Sequence, residues 1–189
     1  MRIEENTTMK FLELVNKRQS DRKYINKTVE KEKIERCLEA ARLAPSASNS
    51  QPWSFIVIDD PVLKNKVAGK TFGPAKTFNK FVPQAPVIVV IVMEKPKIIT
   101  ELGGRVKKKE YPLMDIGITA EHFCLQAAEE GLGTCMLGWF DERSVKELLH
   151  VPENKTIPLL ITLGYTPDDY KNRKKIRKRF DKIVKWNSY

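Results

Sequence analysis

Cysteine and histidine are scarce in this 189-residue chain, and their scarcity argues against several kinds of site. The chain has three cysteines, Cys37, Cys124 and Cys135, and two histidines, His122 and His150. The cysteines lack the spacing of a metal site or a redox pair, and their odd number favours reduced thiols in a reducing compartment. The histidines are far apart, so neither a zinc site nor a Cys-His or Ser-His-Asp hydrolase is favoured.

Long hydrophobic runs are also missing. The longest strongly apolar run, residues 85–93, is too short to span a bilayer, and the polar N-terminus lacks the apolar stretch of a signal peptide. Hydrophobic residues make up 41% of the chain and charged residues 31%, a balance typical of a folded domain. We therefore expect a single cytoplasmic domain over residues 1–189, with no membrane partner.

Positive charge is abundant. The formal net charge is +10, and much of it lies in residues 171–185. Such a segment favours anionic partners, which could be nucleic acid, acidic lipid or phosphorylated small molecules. Charge alone does not choose among them.

Helices and strands alternate along the chain. Apolar periodicity predicts helices over residues 8–17, 28–42, 61–68, 112–130 and 141–149, and strands over residues 54–59, 87–93, 134–137 and 157–163. Residues 94–111 mix proline, paired glycines and lysines, which predicts a mobile surface loop. The alternation predicts a three-layer α/β or α+β domain.

Capping residues mark several helix starts. The predicted N-caps are residues 6–8, Thr28, Asp60 and Asp141. Pro61 suits the first helical position. The predicted core face of helix 112–130 consists of Leu113, Ile116, Ala120, Phe123 and Ala127. In the last strand, Pro158 predicts a start near a sheet edge, because proline cannot donate a ladder hydrogen bond.

Three segments contain polar side chains or glycines that are suited to contact a ligand. In residues 18–22, two arginines flank a serine, and guanidinium groups fit phosphate oxygens in a bidentate manner. Residues 45–53 form a small-residue loop between prolines, with Asn49 and Gln51 offering amide groups to a heterocycle. Residues 131–140 contain glycines that let backbone N–H groups approach a flat cofactor, without the dinucleotide-binding fingerprint. Each segment taken alone is also compatible with an ordinary surface turn or loop.

The order of these segments resembles the FMN-dependent nitroreductase family. The chain reads R-x-S-x-R after the first helix, P-S-A-S-N-S-Q-P-W before the first core strand, and G-L-G-T-C after the long helix. The resemblance extends from about Met9 to Trp186. It implies an α+β fold with a mainly antiparallel central sheet wrapped by helices. It also implies an intertwined homodimer with FMN at the subunit interface, and a tail, residues 166–189, that packs on the partner subunit.

The resemblance also implies roles for particular residues. Arg18 and Ser20 would hold the FMN phosphate, Gln19 would contact the ribityl or phosphate region, and Arg22 would lie near the N1–O2 edge of the ring. The remaining positions implied to bind the cofactor are Pro45, Ser46, Ala47 and Asn49 from the other subunit, Leu137 and Gly138 facing N5, and Lys175 and Arg177 closing over the phosphate from the tail.

The chain departs from the family pattern at two places. Glutamine stands at position 19, where many members have arginine or histidine. Leu137-Gly138-Trp139 replaces the Gly-Gly or Glu-Gly pair often found near N5, so Trp139 could fill part of the substrate pocket. Asn79 and Lys80 lie in a segment that does not align clearly with the family.

The implied activity is hydride relay from NAD(P)H through flavin N5 to nitroaromatics, quinones or similar electron-poor acceptors, with no ionisable catalyst in the protein. Two alternatives stay open. One keeps the fold and the flavin but changes the reaction to dehalogenation, flavin fragmentation or dehydrogenation. The other, a nucleic-acid-binding protein, rests on the basic tail alone and lacks a recognition helix or stacking aromatics, so we expect no nucleic-acid partner.

Overall fold

A four-stranded antiparallel sheet forms the centre of the molecule. The computed structural model describes residues 10–73 and 78–189. The strands are β1 (Trp53–Ile58), β2 (Val87–Met93), β3 (Gly133–Leu137) and β4 (Thr156–Gly164). They lie in the order β1-β2-β4-β3, and all neighbours are antiparallel. The expected α+β fold with a mainly antiparallel sheet is confirmed.

Helices cover both faces of this sheet. They are α1 (Phe11–Lys17), α2 (Lys31–Arg42), α3 (Pro61–Gly69), α4 (Ile98–Lys107), α5 (Tyr111–Glu129), α6 (Glu142–Leu149) and α7 (Phe180–Ile183). Among the described residues, the short 3₁₀ turns Ala47–Asn49 and Val82–Gln84 precede β1 and β2. No helix in the described ranges combines the length and apolarity needed to cross a membrane.

The central strand β2 separates two hydrophobic cores. Its even-numbered residues from Ile88 to Val92 pack with buried side chains of α3 and α6. Its odd-numbered residues from Val87 to Ile91 pack with buried side chains of α2 and α5. Successive side chains of a strand point to opposite faces, so a β-branched strand buried on both sides produces a three-layer domain.

Local signals located most elements correctly. The side chain of Asp60 accepts a hydrogen bond from the Leu63 N–H at 2.7 Å, and Asp141 accepts one from Ser144 at 3.1 Å, so both predicted N-caps are confirmed. Helix α2 begins later than predicted: Glu30, not Thr28, occupies its N-cap position. The predicted caps at residues 6–8 lie outside the described residues.

Of two predictions about position in the fold, one is wrong and one is confirmed. Leu113 of α5 is exposed, whereas the other four residues of its predicted core face are buried. Strand β4 lies between β2 and β3, but its pairing with β3 begins only at Leu160, so Pro158 lies where β4 has a neighbouring strand on one side only, and the prediction of a start near a sheet edge is confirmed. The proline is accommodated because it lies beside the register shift opposite 91–93 of β2 and before the pairing with β3 begins at Leu160.

The predicted loop over residues 94–111 is also wrong, because it contains helix α4. Ile98, Leu102 and Val106 recur every four residues and form an exposed apolar stripe on this helix. Pro96 and the Gly103-Gly104 pair disfavour a helix, and the sequence therefore predicted a loop despite that periodicity. Gly104 is required by close packing: an added Cβ would lie 2.7 Å from the carbonyl oxygen of Lys109.

Candidate cofactor site

The segment that follows α1 runs beside strand β3. The Asp21 N–H donates to the Thr134 carbonyl at 2.7 Å, and the Thr134 N–H donates to the Asp21 carboxylate at 3.2 Å. Ser20 and Thr134 form a parallel bridge. Burial raises the pKa of Asp21, although the Thr134 N–H opposes this. Gly133 is necessary here, since an added Cβ would lie 2.9 Å from the Asp21 carboxylate oxygen.

The beginning of the tail folds back onto this segment. The backbone N–H of Arg173 donates to Gln19 Oε1 at 3.0 Å, and its guanidinium donates to the Ser20 carbonyl. The Lys175 ammonium donates to the carbonyls of Val15, at 2.7 Å, and Arg18. Burial, and then the positive charge of Arg18, lower the pKa of Lys175. These contacts are within one chain, so packing of residues 166–189 on a partner stays a prediction.

A cationic cleft of about 370 Å³ opens between the segment and the tail. We define it by its lining residues, which are Arg18, Gln19, Ser20, Arg173, Lys174, Lys175, Ile176 and Arg177. Five of the predicted cofactor residues are therefore brought together, although the two parts of the chain are about 155 positions apart. Five of the eight lining residues are cations.

Arg18 provides the most specific indication of a ligand in the cationic cleft. Its Nε is buried and, within the described ranges, makes no hydrogen bond. Glu121 Oε1 lies 3.3 Å away, close enough for charge attraction but without hydrogen-bond geometry. An unsatisfied buried donor is costly, so an anionic acceptor in the cleft would stabilise it.

Sequence reasoning did not assign Arg173 and Lys174 to the site. Both occur in a run of basic residues, and the sequence alone does not distinguish one cation of this run from another. Only the fold selects Arg173, because Gln19 accepts its backbone N–H. A glutamine where the family often has a cation was the one available hint of a special partner for position 19.

The loop with Pro45, Ser46, Ala47 and Asn49 does not line the cationic cleft. It is rigidly shaped: Ser48, Asn49 and Gln51 have φ values of 53°, 50° and 47°, in the left-handed region that non-glycine residues rarely occupy. Strained backbone of this kind clusters at functional sites.

Hydrogen bonds from two helices hold this loop. The Asp115 carboxylate of α5 accepts the Ala47 N–H at 3.1 Å, and the hydroxyl of Thr100 in α4 donates to the Ala47 carbonyl at 3.3 Å. Ser46 Oγ accepts the Gln51 N–H at 2.9 Å. Burial raises the pKa of Asp115. The side chain of Asn49 stays exposed at the surface of the loop.

Leu137 and Gly138 lie where β3 ends. Ser20 pairs with Thr134 in parallel, so the path from the cationic cleft to Gly138 follows β3 for roughly 10 Å. Arg22 lies along the same path with an exposed side chain, while its backbone N–H donates to the Tyr170 hydroxyl at 3.1 Å. An elongated ligand with its anionic end at Arg18 would therefore extend past Arg22 toward Gly138.

Trp139 is 60% exposed and follows directly. Its ring packs against Phe78, with 5.9 Å between ring centroids. The amide of Asn79 donates to the carbonyls of Thr71, at 3.0 Å, and Trp139, at 3.2 Å. Asn79 thus supports the end of the path, and Lys80 has an exposed side chain.

Thiol and metal chemistry receive no support from the described residues. Burial raises the pKa of Cys37 and of Cys124 to about 12, and it also raises that of Cys135. The thiolate is the reactive form, so these side chains are poor nucleophiles. The described residues contain no cluster of His, Cys, Asp and Glu suited to a metal ion.

An antiparallel α+β domain with an anion cleft leading along an edge strand is compatible with a nucleotide-cofactor oxidoreductase. The pattern of the Nitroreductase family matches residues 15–165, and the chain belongs to this family. A putative NADH dehydrogenase/NAD(P)H nitroreductase from Archaeoglobus fulgidus is 33% identical over 166 residues, which are 84% of this chain and 86% of that protein.

Other relatives differ in reaction. An iodotyrosine deiodinase from Thermotoga neapolitana is 25% identical over 202 residues, covering 96% of this chain and all of that protein. Among solved structures, an FMN-dependent nitroreductase from Clostridium difficile is 30% identical with a TM-score of 0.76, covering 93% of this chain and 98% of the other. The family therefore defines an oxidoreductase and leaves the acceptor open.

Proposed function

We propose that this chain is an FMN-dependent enzyme that takes hydride from NAD(P)H and reduces small electron-poor acceptors such as nitroaromatics and quinones. The observation that carries the proposal is the cationic cleft, whose lining contains Arg18, with its unsatisfied buried Nε, and four further cations. The donor set fits a phosphate monoester, because guanidinium and ammonium groups form charge-assisted hydrogen bonds with its oxygens.

The cofactor is FMN, and the charge of the cationic cleft supports a position there for its phosphate end. Arg18, Ser20 and Gln19 would hold the phosphate from one side, and Lys175 and Arg177 from the tail. Bound FMN supplies hydride acceptance and donation at its ring. The chain supplies position and charge: Arg22 would stabilise negative charge at the N1–O2 edge, and the backbone at Leu137 and Gly138 would orient the ring at N5.

We infer that the active form is a homodimer. The resemblance implies that Ser46, Ala47 and Asn49 contact the ring of the other subunit, and none of the three lines the cationic cleft of its own subunit. Large apolar side chains are exposed along α4, α5 and the tail, among them Leu102, Met114, Phe180 and Trp186. Exposed apolar patches of this kind typically mark interfaces. The three cysteines are free thiols, which supports placing the protein in the reducing cytoplasm.

A second candidate keeps FMN but changes the acceptor. The likeness to iodotyrosine deiodinases supports it, since 96% of this chain is covered at 25% identity. Nucleic-acid binding is less favoured, because Arg173 and Lys175 already donate to backbone carbonyls of their own chain. A screen of both nicotinamide nucleotides against nitroaromatics, quinones and halogenated phenols separates the two flavin-dependent candidates.

The experiment that tests the proposal measures FMN binding to the full chain and to Arg18→Met. Purified protein reconstituted with FMN should be yellow and should oxidise NADH or NADPH when a quinone is present. Loss of one charge-assisted hydrogen bond costs about 1.5–3 kcal/mol, so R18M should weaken FMN binding by about ten- to a hundredfold in a fluorescence titration.

Arg143→Met is the matched control, because Arg143 is an exposed arginine of α6 that pairs with Glu147 and does not line the cationic cleft. It should bind FMN like the wild type. The proposal would be refuted if the wild-type protein, incubated with excess FMN and then separated from unbound FMN, were colourless and if FMN caused no shift in its melting temperature. Equal FMN affinity for R18M and the wild type would refute the assignment of Arg18.

A further inference from the structure

A recessed cavity of about 230 Å³ lies away from the cationic cleft and shares no lining residue with it. It is formed by the connector before α2, the start of α3 and the turn that leads into β2. Its lining residues include Thr28, Val29, Asp59, Lys64, Pro83 and Gln84. Nothing in the proposed flavin chemistry uses this cavity.

Lys64 is the unusual member of the wall. It is only 7% exposed, and its ammonium donates one hydrogen bond, to the Pro83 carbonyl at 2.6 Å. An ammonium has three donors, so two are left for other acceptors. In the part of the chain that the structure describes, no carboxylate lies within ion-pair distance of it. Burial lowers the pKa of Lys64.

A buried cation without a counter-ion is costly, and a bound anion would compensate it. The rest of the cavity limits which anion fits. Val29, Ala85 and Val87 provide apolar wall, and exposed Asp59 adds negative charge that disfavours a polyanion such as a phosphate ester. The volume is below the roughly 300–1,000 Å³ of sites for drug-sized ligands.

We propose that this cavity binds a small aliphatic monocarboxylate, with its carboxylate on the ammonium of Lys64 and its alkyl part against the apolar wall. Thr28 and Gln84 offer polar groups to a substituent on the ligand. The cavity shares no lining residue with the cationic cleft, so the proposal stands or fails separately from the flavin assignment.

The test uses butyrate as the probe and the full FMN-loaded chain. Saturation-transfer NMR and thermal shift are recorded while sodium chloride keeps the ionic strength constant. The wild type should show saturable binding. Lys64→Met, which keeps the length and removes the charge, should weaken binding at least tenfold. The control Lys66→Met changes an exposed lysine of the same helix and should leave binding within twofold of the wild type.

A second variant, Thr28→Phe, narrows the cavity without removing a core residue, so it keeps the test valid if K64M folds poorly. It should also abolish saturable binding. Absence of saturable binding to the wild type would overturn the proposal, and so would equal binding to K64M and the wild type. The flavin absorbance of the same samples shows separately whether FMN is bound.

Discussion

At the scale of single residues, Arg18 and Asp21 illustrate two opposite electrostatic situations three positions apart. Arg18 has a charge partner in Glu121 but an unsatisfied Nε. Asp21 is buried and accepts a backbone N–H, yet its burial is not fully offset, and its pKa is raised. A bound anion would therefore stabilise the folded state at Arg18, whereas ionisation of Asp21 lowers the stability of the folded state.

Asp21 gives a prediction about pH. Its folded pKa is above the ordinary value of 3.8, so the folded state holds the proton more tightly than the unfolded state. The associated stability is present below pH 3.8 and is lost as the pH rises through the folded pKa. Asp21→Asn keeps an acceptor for Thr134 and removes this loss, so its free energy of unfolding should rise relative to the wild type between about pH 4 and neutrality.

Denaturant unfolding at a series of pH values measures this difference. Comparison of D21N with the wild type cancels the carboxylates whose pKa is lowered, such as Glu94 and Glu130, because both proteins contain them. A difference that does not change with pH would show that Asp21 ionises equally in the folded and unfolded states.

Trp139 gives a prediction about the acceptor. Its exposed ring lies directly after Gly138 and occupies space at the end of the path from the cleft. Trp139→Gly should raise kcat/KM for bulky quinones relative to small ones, while the Kd for FMN stays within twofold. Val62→Ala is the control, since that exposed side chain lies on α3, away from the path and from the proposed dimer interface. An unchanged ratio between large and small acceptors would show that Trp139 does not limit the pocket.

At the scale of elements, α4 and α5 meet at a corner that depends on Gly104. Gly104→Ala would place a Cβ 2.7 Å from the Lys109 carbonyl, and this backbone atom cannot move aside cheaply. Overpacking typically costs about 1–3 kcal/mol, so G104A should lower the free energy of unfolding by that amount. Gly103→Ala meets nothing within 4 Å and should instead stabilise α4 by up to about 1 kcal/mol.

Chemical unfolding of the two variants side by side measures this contrast. Equal stability changes for the two substitutions would contradict the packing at the α4–α5 corner. The pair is well matched, since both positions lie in the interior of one helix.

The elements that could be predicted from the sequence are those with strong local signals. Strand β2 is β-branched almost throughout, and α3 and α6 have acidic N-caps whose hydrogen bonds the structure shows. Helix α4 could not be predicted, because its apolar stripe faces outward and its two glycines lower helix propensity. Residues 18–20, 175 and 177 were predicted through a family resemblance, whereas Arg173 required the fold.

At the scale of the whole molecule, the exposed apolar side chains on α5 predict that the protein is a homodimer. A Met114→Lys, Ile118→Lys double variant should be monomeric by light scattering and should lose most of its FMN, because the ring would lack the second subunit's loop. Val62→Lys is the control, since this exposed residue lies on α3 in the other helical layer. A monomer that retains stoichiometric FMN would contradict the shared-site arrangement.

The return of the tail to α1 has a consequence for protease sensitivity. Residues 171–179 contain seven lysines and arginines, which are trypsin cleavage sites, and their attachment to the domain depends on a few hydrogen bonds between cations and carbonyls. The five cations of the cleft repel one another until an anion lies among them. Digestion of the tail by trypsin should therefore slow when the phosphate end of the cofactor is bound. The rate of tail cleavage then measures occupancy of the cationic cleft without an activity assay and without flavin absorbance.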